Sequence, residues 1–141
     1  MRTDHIIALI ARVRARANQL IITELERRGH PGLAPSHGAI LARLYESGPL
    51  PMSVLAQAID RRKNTLTTLV NKLAAAGYVT RQPSPDDSRV ALIALTQKGE
   101  DFRGDFRAIS ELLLARVWGT IDEAERTRLV HSLETILGNL A

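Results

Sequence analysis

The chain has no cysteine. Disulfides, thiolate metal sites and cysteine redox switches are therefore excluded. No apolar run approaches the ~20 residues that a membrane span requires. The first residues lack a basic stretch leading into an apolar core with a small-residue cleavage site, so a soluble, cytoplasmic protein is expected. There is no glycine-rich phosphate-cradling loop. The four histidines, His5, His30, His37 and His131, are scattered, with no two at metal-ligand spacing, and are read as surface residues. Ser132 beside His131 is adjacency only, because sequence neighbours on a helix face apart. No metal, cofactor or enzymatic function is expected.

What is present is an uneven distribution of charge. The whole chain carries +4, and residues 61–89 account for it. That stretch holds Arg61, Arg62, Lys63, Lys72, Arg81 and Arg89 against Asp86 and Asp87. A positive field confined to one segment suits a polyanion-binding face, although an unevenly charged solvated surface would look the same by charge alone.

Periodicity supplies the frame. Ile6, Leu9, Ile10, Val13, Ala17, Leu20, Ile21 and Leu25 recur at spacings of three and four, predicting a helix over 3–28 that ends at Gly29-His30-Pro31-Gly32. A second helix begins near Pro35, weakened by Gly38, and stops at Gly48-Pro49. Two short helices follow, about 52–59 and 63–76, the second ended by Gly77. The period then changes. Residues 78–82 and 89–95 read as strands around a turn-rich tip, Pro83-Ser84-Pro85-Asp86-Asp87-Ser88. A long helix capped by Thr96 is expected to run to about Trp118. The last helix covers about 122–140, and either Thr120 with Glu123 or Asp122 with Glu125 would form its capping box.

The order helix, helix, helix, hairpin over 35–95 is that of a winged helix-turn-helix. The fold class is mainly α with a small β-hairpin wing. The 63–76 helix buries Leu66, Leu69, Val70 and Leu73 and turns Asn64, Thr68 and Asn71 outward, flanked by Thr65, Thr67 and Lys72. No acidic residue lies anywhere on it. A solvated face normally mixes in Glu and Asp, so this one favours nucleic-acid contact. At the hairpin tip, Arg89 suits the narrow minor groove, and Asp87, two residues earlier, would hold its guanidinium. In isolation such a pair is a surface ion pair worth under ~1 kcal/mol.

Asp87-Ser88-Arg89, followed by Leu95-Thr96, resembles the wing signature of the MarR family. Residues 64–73, running into Ala76-Gly77-Tyr78-Val79, are similar to that family's recognition helix and its exit into the wing, and 50–59 to the helix before it. The chain departs at Thr68, where an arginine is usual, and at Pro51, where a capping hydroxyl is usual. The resemblance implies one domain over 1–141, with a DNA-binding lobe at 33–96 and dimerisation helices at 1–30 and 97–141. It implies a homodimer that binds double-stranded DNA at a palindromic operator, chiefly as a repressor. Arg61, Arg62, Lys63, Asn64, Thr65, Thr67, Thr68, Asn71, Lys72, Ser88 and Arg89 would contact DNA, with Asp87 ordering the wing. Ile6, Leu9, Ile10, Val13, Leu129, Leu133, Ile136, Leu137 and Leu140 would form the dimer seam. Their stripes are too long for a small lobe to cover, although packing on each other within one chain is the alternative. The family also implies a small aromatic or phenolic effector. Tyr45, Phe102, Phe106 and Trp118 are the large residues available to line its site, and core packing explains most of them as well.

Overall fold

The computed structural model describes residues 1–59 and 62–141, Lys63 by its backbone alone. Helix α1 (Ile6–Arg27) leads into a 3-10 turn at Pro35–His37 and helix α2 (Gly38–Ser47). Strand β1 (Leu50–Pro51) precedes α3 (Met52–Ala58) and α4 (Lys63–Ala75). Strands β2 (Val79–Pro83) and β3 (Ala91–Leu95) form the hairpin. Helices α5 (Gln97–Asp101), α6 (Arg103–Trp118) and α7 (Glu123–Asn139) complete the chain.

This is a winged helix-turn-helix lobe between long terminal helices, and three local expectations need correction. Gly38 opens α2 after the 3-10 turn instead of interrupting it, so its low interior propensity costs little there. Leu50–Pro51 is a strand, not helix: it pairs antiparallel with β3, Leu50 opposite Ile93, giving the sheet order β1-β3-β2. Proline lacks a donor and is tolerated at such an edge. The helix after Thr96 is interrupted at Phe102. Phe102 is buried, with its ring edge-on to His30 and Tyr78, which pins the chain where Gly104 weakens the helix.

The core lies under the lobe. Ile40, Leu44, Leu55, Leu66, Val70, Leu73 and Ile93 are all at most 1% exposed. Burying each such side chain stabilises the fold by about 1.5–3 kcal/mol. Gly77, at φ 91°, ends α4 in a conformation that disfavours any side chain. The chain then turns straight into Tyr78, whose carbonyl accepts the Thr96 N–H. The Thr96 hydroxyl in turn caps α5 by accepting from the Gly99 N–H at 3.1 Å. At the far end Asp122, not Thr120, caps α7, accepting from the Glu125 N–H at 2.9 Å.

Two histidines are structural, against the surface reading. His30 sits between lobe and frame: Nδ1 is 2.7 Å from the Tyr78 hydroxyl and Nε2 is 3.1 Å from Asp105. Arg28 donates to the other Asp105 oxygen at 2.8 Å. That bond, with the His30 contact, holds the Asp105 carboxyl below its usual range despite partial burial. His37 is buried, and its Nδ1 accepts the Ala34 N–H at 3.0 Å. Burial, assisted by the charge of Lys72, pushes the His37 imidazole below its ordinary value.

Two outcomes are expected. A Cβ at Gly99 would collide with the Tyr78 carbonyl oxygen, so Gly99→Ala should lower stability by about 1–3 kcal/mol in denaturant unfolding. His37 binds its proton more weakly when folded than when unfolded. Its stabilising contribution is therefore complete above the unfolded value near 6.5 and is lost as pH falls below it. The fall in unfolding midpoint between pH 7.5 and 5.0 should be smaller for His37→Gln than for the unmodified protein.

Candidate nucleic-acid interface

Burial of Leu66, Val70 and Leu73 fixes which way α4 faces. With that stripe against the core, Asn64, Thr65, Thr68, Asn71 and Lys72 lie exposed, while Thr67 and Leu69 are half-buried at the edges. Arg62 is exposed at the N-cap position. Arg61 and the side chain of Lys63 lie outside the described residues.

The outward polar groups are partly committed to one another. Asn64 Oδ1 accepts the Thr65 N–H at 2.9 Å, and the Thr68 hydroxyl donates to the Asn64 carbonyl at 3.2 Å. Asn71 Oδ1 accepts from an Arg81 guanidinium nitrogen at 2.6 Å. In the sequence Arg81 stands out only by its charge. Its link to Asn71 joins a helix to a strand ten residues on, and only the tight exit at Gly77 brings them together.

The wing is closed by its own backbone. Ser84 N–H donates to Val90 and Val90 N–H to Asp87, so the tip is a folded turn. Asp87 accepts three bonds from Arg89: the backbone N–H at 3.0 Å and two guanidinium nitrogens at 3.0 and 3.2 Å. The guanidinium bonds, then the backbone bond, hold the Asp87 carboxyl below its usual range. The Arg89 side chain stays 89% exposed. It is oriented yet open to solvent, and Ser88 lies exposed beside it.

The expected dimer seam remains on the surface of the single chain. Ile6, Leu9, Ile10, Val13, Leu129, Leu133, Leu137 and Leu140 are each 38% exposed or more, and Ile136 is half-buried. The two stripes therefore do not cover each other within one chain.

A second feature lies between frame and lobe: an apolar cavity of about 330 Å³. Ile21, Leu25, Leu41, Phe102, Phe106, Ile109 and Leu113 supply much of its wall. Of the four large residues named from sequence, Phe102 and Phe106 line it. Tyr45 packs on Phe106 and donates to the Gly99 carbonyl at 2.6 Å; burial pushes its phenol up to about 12. Trp118 lies elsewhere, under Arg126. Among the described residues, His37 and Ser110 are the polar side chains in the wall, and the buried Nε2 of His37 meets no hydrogen-bond partner. Among the described residues no cluster could hold a metal ion, and no helix is long and apolar enough to cross a membrane.

Residues 33–91 match the MarR family. The chain is 32% identical over 88 residues to the helix-turn-helix transcriptional regulator MhqR of Bacillus subtilis, covering 62% of this chain and 61% of that protein. It spans between 40% and 66% of the length of the curated relatives it matches. Among solved structures it superimposes on a MarR transcriptional regulator from Methanosarcina mazei with a TM-score of 0.77 at 24% identity, over 97% of this chain and 96% of the other. BpsR of Bordetella bronchiseptica, whose DNA binding is regulated by 6-hydroxynicotinic acid, matches with a TM-score of 0.76 at 19% identity, over 94% of this chain and 98% of that one. The lobe thus matches the MarR family over residues 33–91, on a winged helix-turn-helix fold that the chain shares along nearly its whole length with a solved MarR regulator.

Proposed function

We propose that the protein is a double-stranded-DNA-binding transcriptional regulator, acting as a homodimer at a palindromic operator and chiefly as a repressor. The observation that carries this reading is the exposed face of α4, without a carboxylate, beside an oriented and exposed arginine at the wing tip. Duplex DNA repels carboxylates and rewards donors. A helix held by its apolar stripe can offer its outer side chains to a major groove. Arg89 then reaches the adjacent minor groove, where negative potential is concentrated. Arg62 contributes phosphate contact, which adds affinity without sequence information. In this reading Thr65, Thr67, Thr68, Lys72 and Ser88 fill out the contact surface.

The exposed stripes on α1 and α7 support the dimer. Contiguous apolar surface of this extent on a chain of 141 residues calls for a partner. A second copy presents the same stripes by symmetry and places two recognition helices on one duplex.

The cavity between frame and lobe supports an effector. Its wall is apolar and aromatic, with the unpartnered His37 Nε2–H as a donor. Among the described residues no lysine or arginine lines it, so a neutral phenolic ring fits it better than an anion. The regulation of BpsR by a small ring compound is a parallel in a protein of the same shape.

Three outcomes test the reading. Arg89→Ala should weaken operator binding about tenfold or more in an anisotropy titration, given ~1.5–3 kcal/mol for a hydrogen bond to a charged group. Unchanged affinity would remove the wing from the account. Arg62→Ala should weaken binding to all sequences alike and reduce the salt slope by about one for each protomer's lost phosphate contact. Leu133→Glu should turn the dimer into monomer in sedimentation velocity. A variant that stays dimeric would place the seam elsewhere.

A further inference from the structure

Arg81 lies on β2, yet its guanidinium reaches across to the recognition helix and donates to Asn71 Oδ1 at 2.6 Å. We infer that Arg81 sets which base Asn71 reads, by holding the amide oxygen toward the wing strand so that the amide nitrogen is the group turned toward a duplex. The inference rests on the DNA-binding reading above and makes it specific.

The chemistry follows from the inventory of donors and acceptors. A guanidinium has five N–H donors and no acceptor, so an amide beside it must present its oxygen. The bond is charge-assisted and stronger than a neutral one. An asparagine free on both sides reads adenine, because its oxygen accepts from N6 while its nitrogen donates to N7. The guanidinium takes one of the two lone pairs of the Asn71 oxygen and turns the oxygen toward the wing strand, which disfavours the bidentate pairing. What remains is the Asn71 amide nitrogen and the neighbouring N–H groups of Arg81. In the major groove guanine offers two adjacent acceptors, O6 and N7, to such a set. Asn64 is disposed the same way, its oxygen turned back to the Thr65 N–H. The outer surface of α4 is therefore weighted toward donors at both asparagines. Thr68 stands where the resemblance leads one to expect an arginine. Here a guanidinium is supplied to the same face from the wing strand instead.

Arg81 is thus a positioning residue for base readout, and Asn71 the residue positioned. Both are exposed, so the variants below should retain the fold by circular dichroism.

The test is parallel selection from a randomised duplex pool with the unmodified protein, Asn71→Ala, Arg81→Ala and Arg81→Lys. The position read by Asn71 is the one at which Asn71→Ala loses its preference. The unmodified protein should favour guanine there. Arg81→Ala should shift that position toward adenine about tenfold in relative enrichment while the rest of the motif stays unchanged. Arg81→Lys, which keeps the charge and a donor, should shift it less. If Arg81→Ala enriches the same motif as the unmodified protein and merely binds more weakly, Arg81 is a phosphate contact and the inference is overturned. Adenine in the unmodified protein's own motif at that position overturns it as well. If the unmodified protein enriches no motif at low salt, the DNA-reading proposal beneath falls, and this inference with it.

Discussion

What α4 offers to solvent depends on what it buries. Leu66, Val70 and Leu73, fully buried where α4 packs on α3, β2 and the 3-10 turn, fix the rotation of the helix about its axis. A turn of the helix by one residue would bring Asn64 and Asn71 toward the core, where each unpaired amide costs several kcal/mol. The hydrophobic stripe therefore does more than stabilise. It decides that a row of short polar side chains, with no acid among them, is the surface available for recognition. The wing depends on the same stripe, because the left-handed turn at Gly77 begins where the stripe ends and sends the chain directly into β2.

Between this lobe and the terminal helices stands a polar joint in a mostly apolar interior. Tyr78 at the foot of the wing, His30 after α1 and Asp105 on α6 form a hydrogen-bonded chain that Arg28 closes. Phe102 packs edge-on against both His30 and Tyr78 and also lines the apolar cavity. Cavity wall, joint and wing base are thus in direct contact. In the proposed dimer, that continuity gives an occupant of the cavity a physical route to the relative placement of two recognition helices.

Much of this was legible in the sequence because helix periodicity is local and strong. The stripes of α1, α4 and α7 mark their faces within single segments, and the hairpin declares itself by the change of period and by the turn residues 83–88. What was not legible depends on partners distant along the chain. A two-residue strand containing Pro51 has no period to detect, and it exists only because β3 lies alongside. The role of His30 rests on Asp105, 75 positions away, which nothing near it in sequence announces. The two candidate caps for α7 have equal spacing, and the backbone chose between them: Asp122 is the residue with extended dihedrals. The Arg81–Asn71 bond crosses a turn whose tightness composition does not reveal.

In the proposed complex one rigid polar helix face and one held arginine grip a duplex together, the first in a major groove and the second in the minor groove beside it. Dimethyl sulfate probing of a bound operator reports both grooves at once, through guanine N7 and adenine N3. The account predicts protection of N7 in two successive major grooves and of N3 in the flanking minor grooves, with the N3 protection alone lost when Arg89 is replaced by alanine. Reactivity at both atoms equal to that of free DNA, under conditions where the protein is bound, would contradict it.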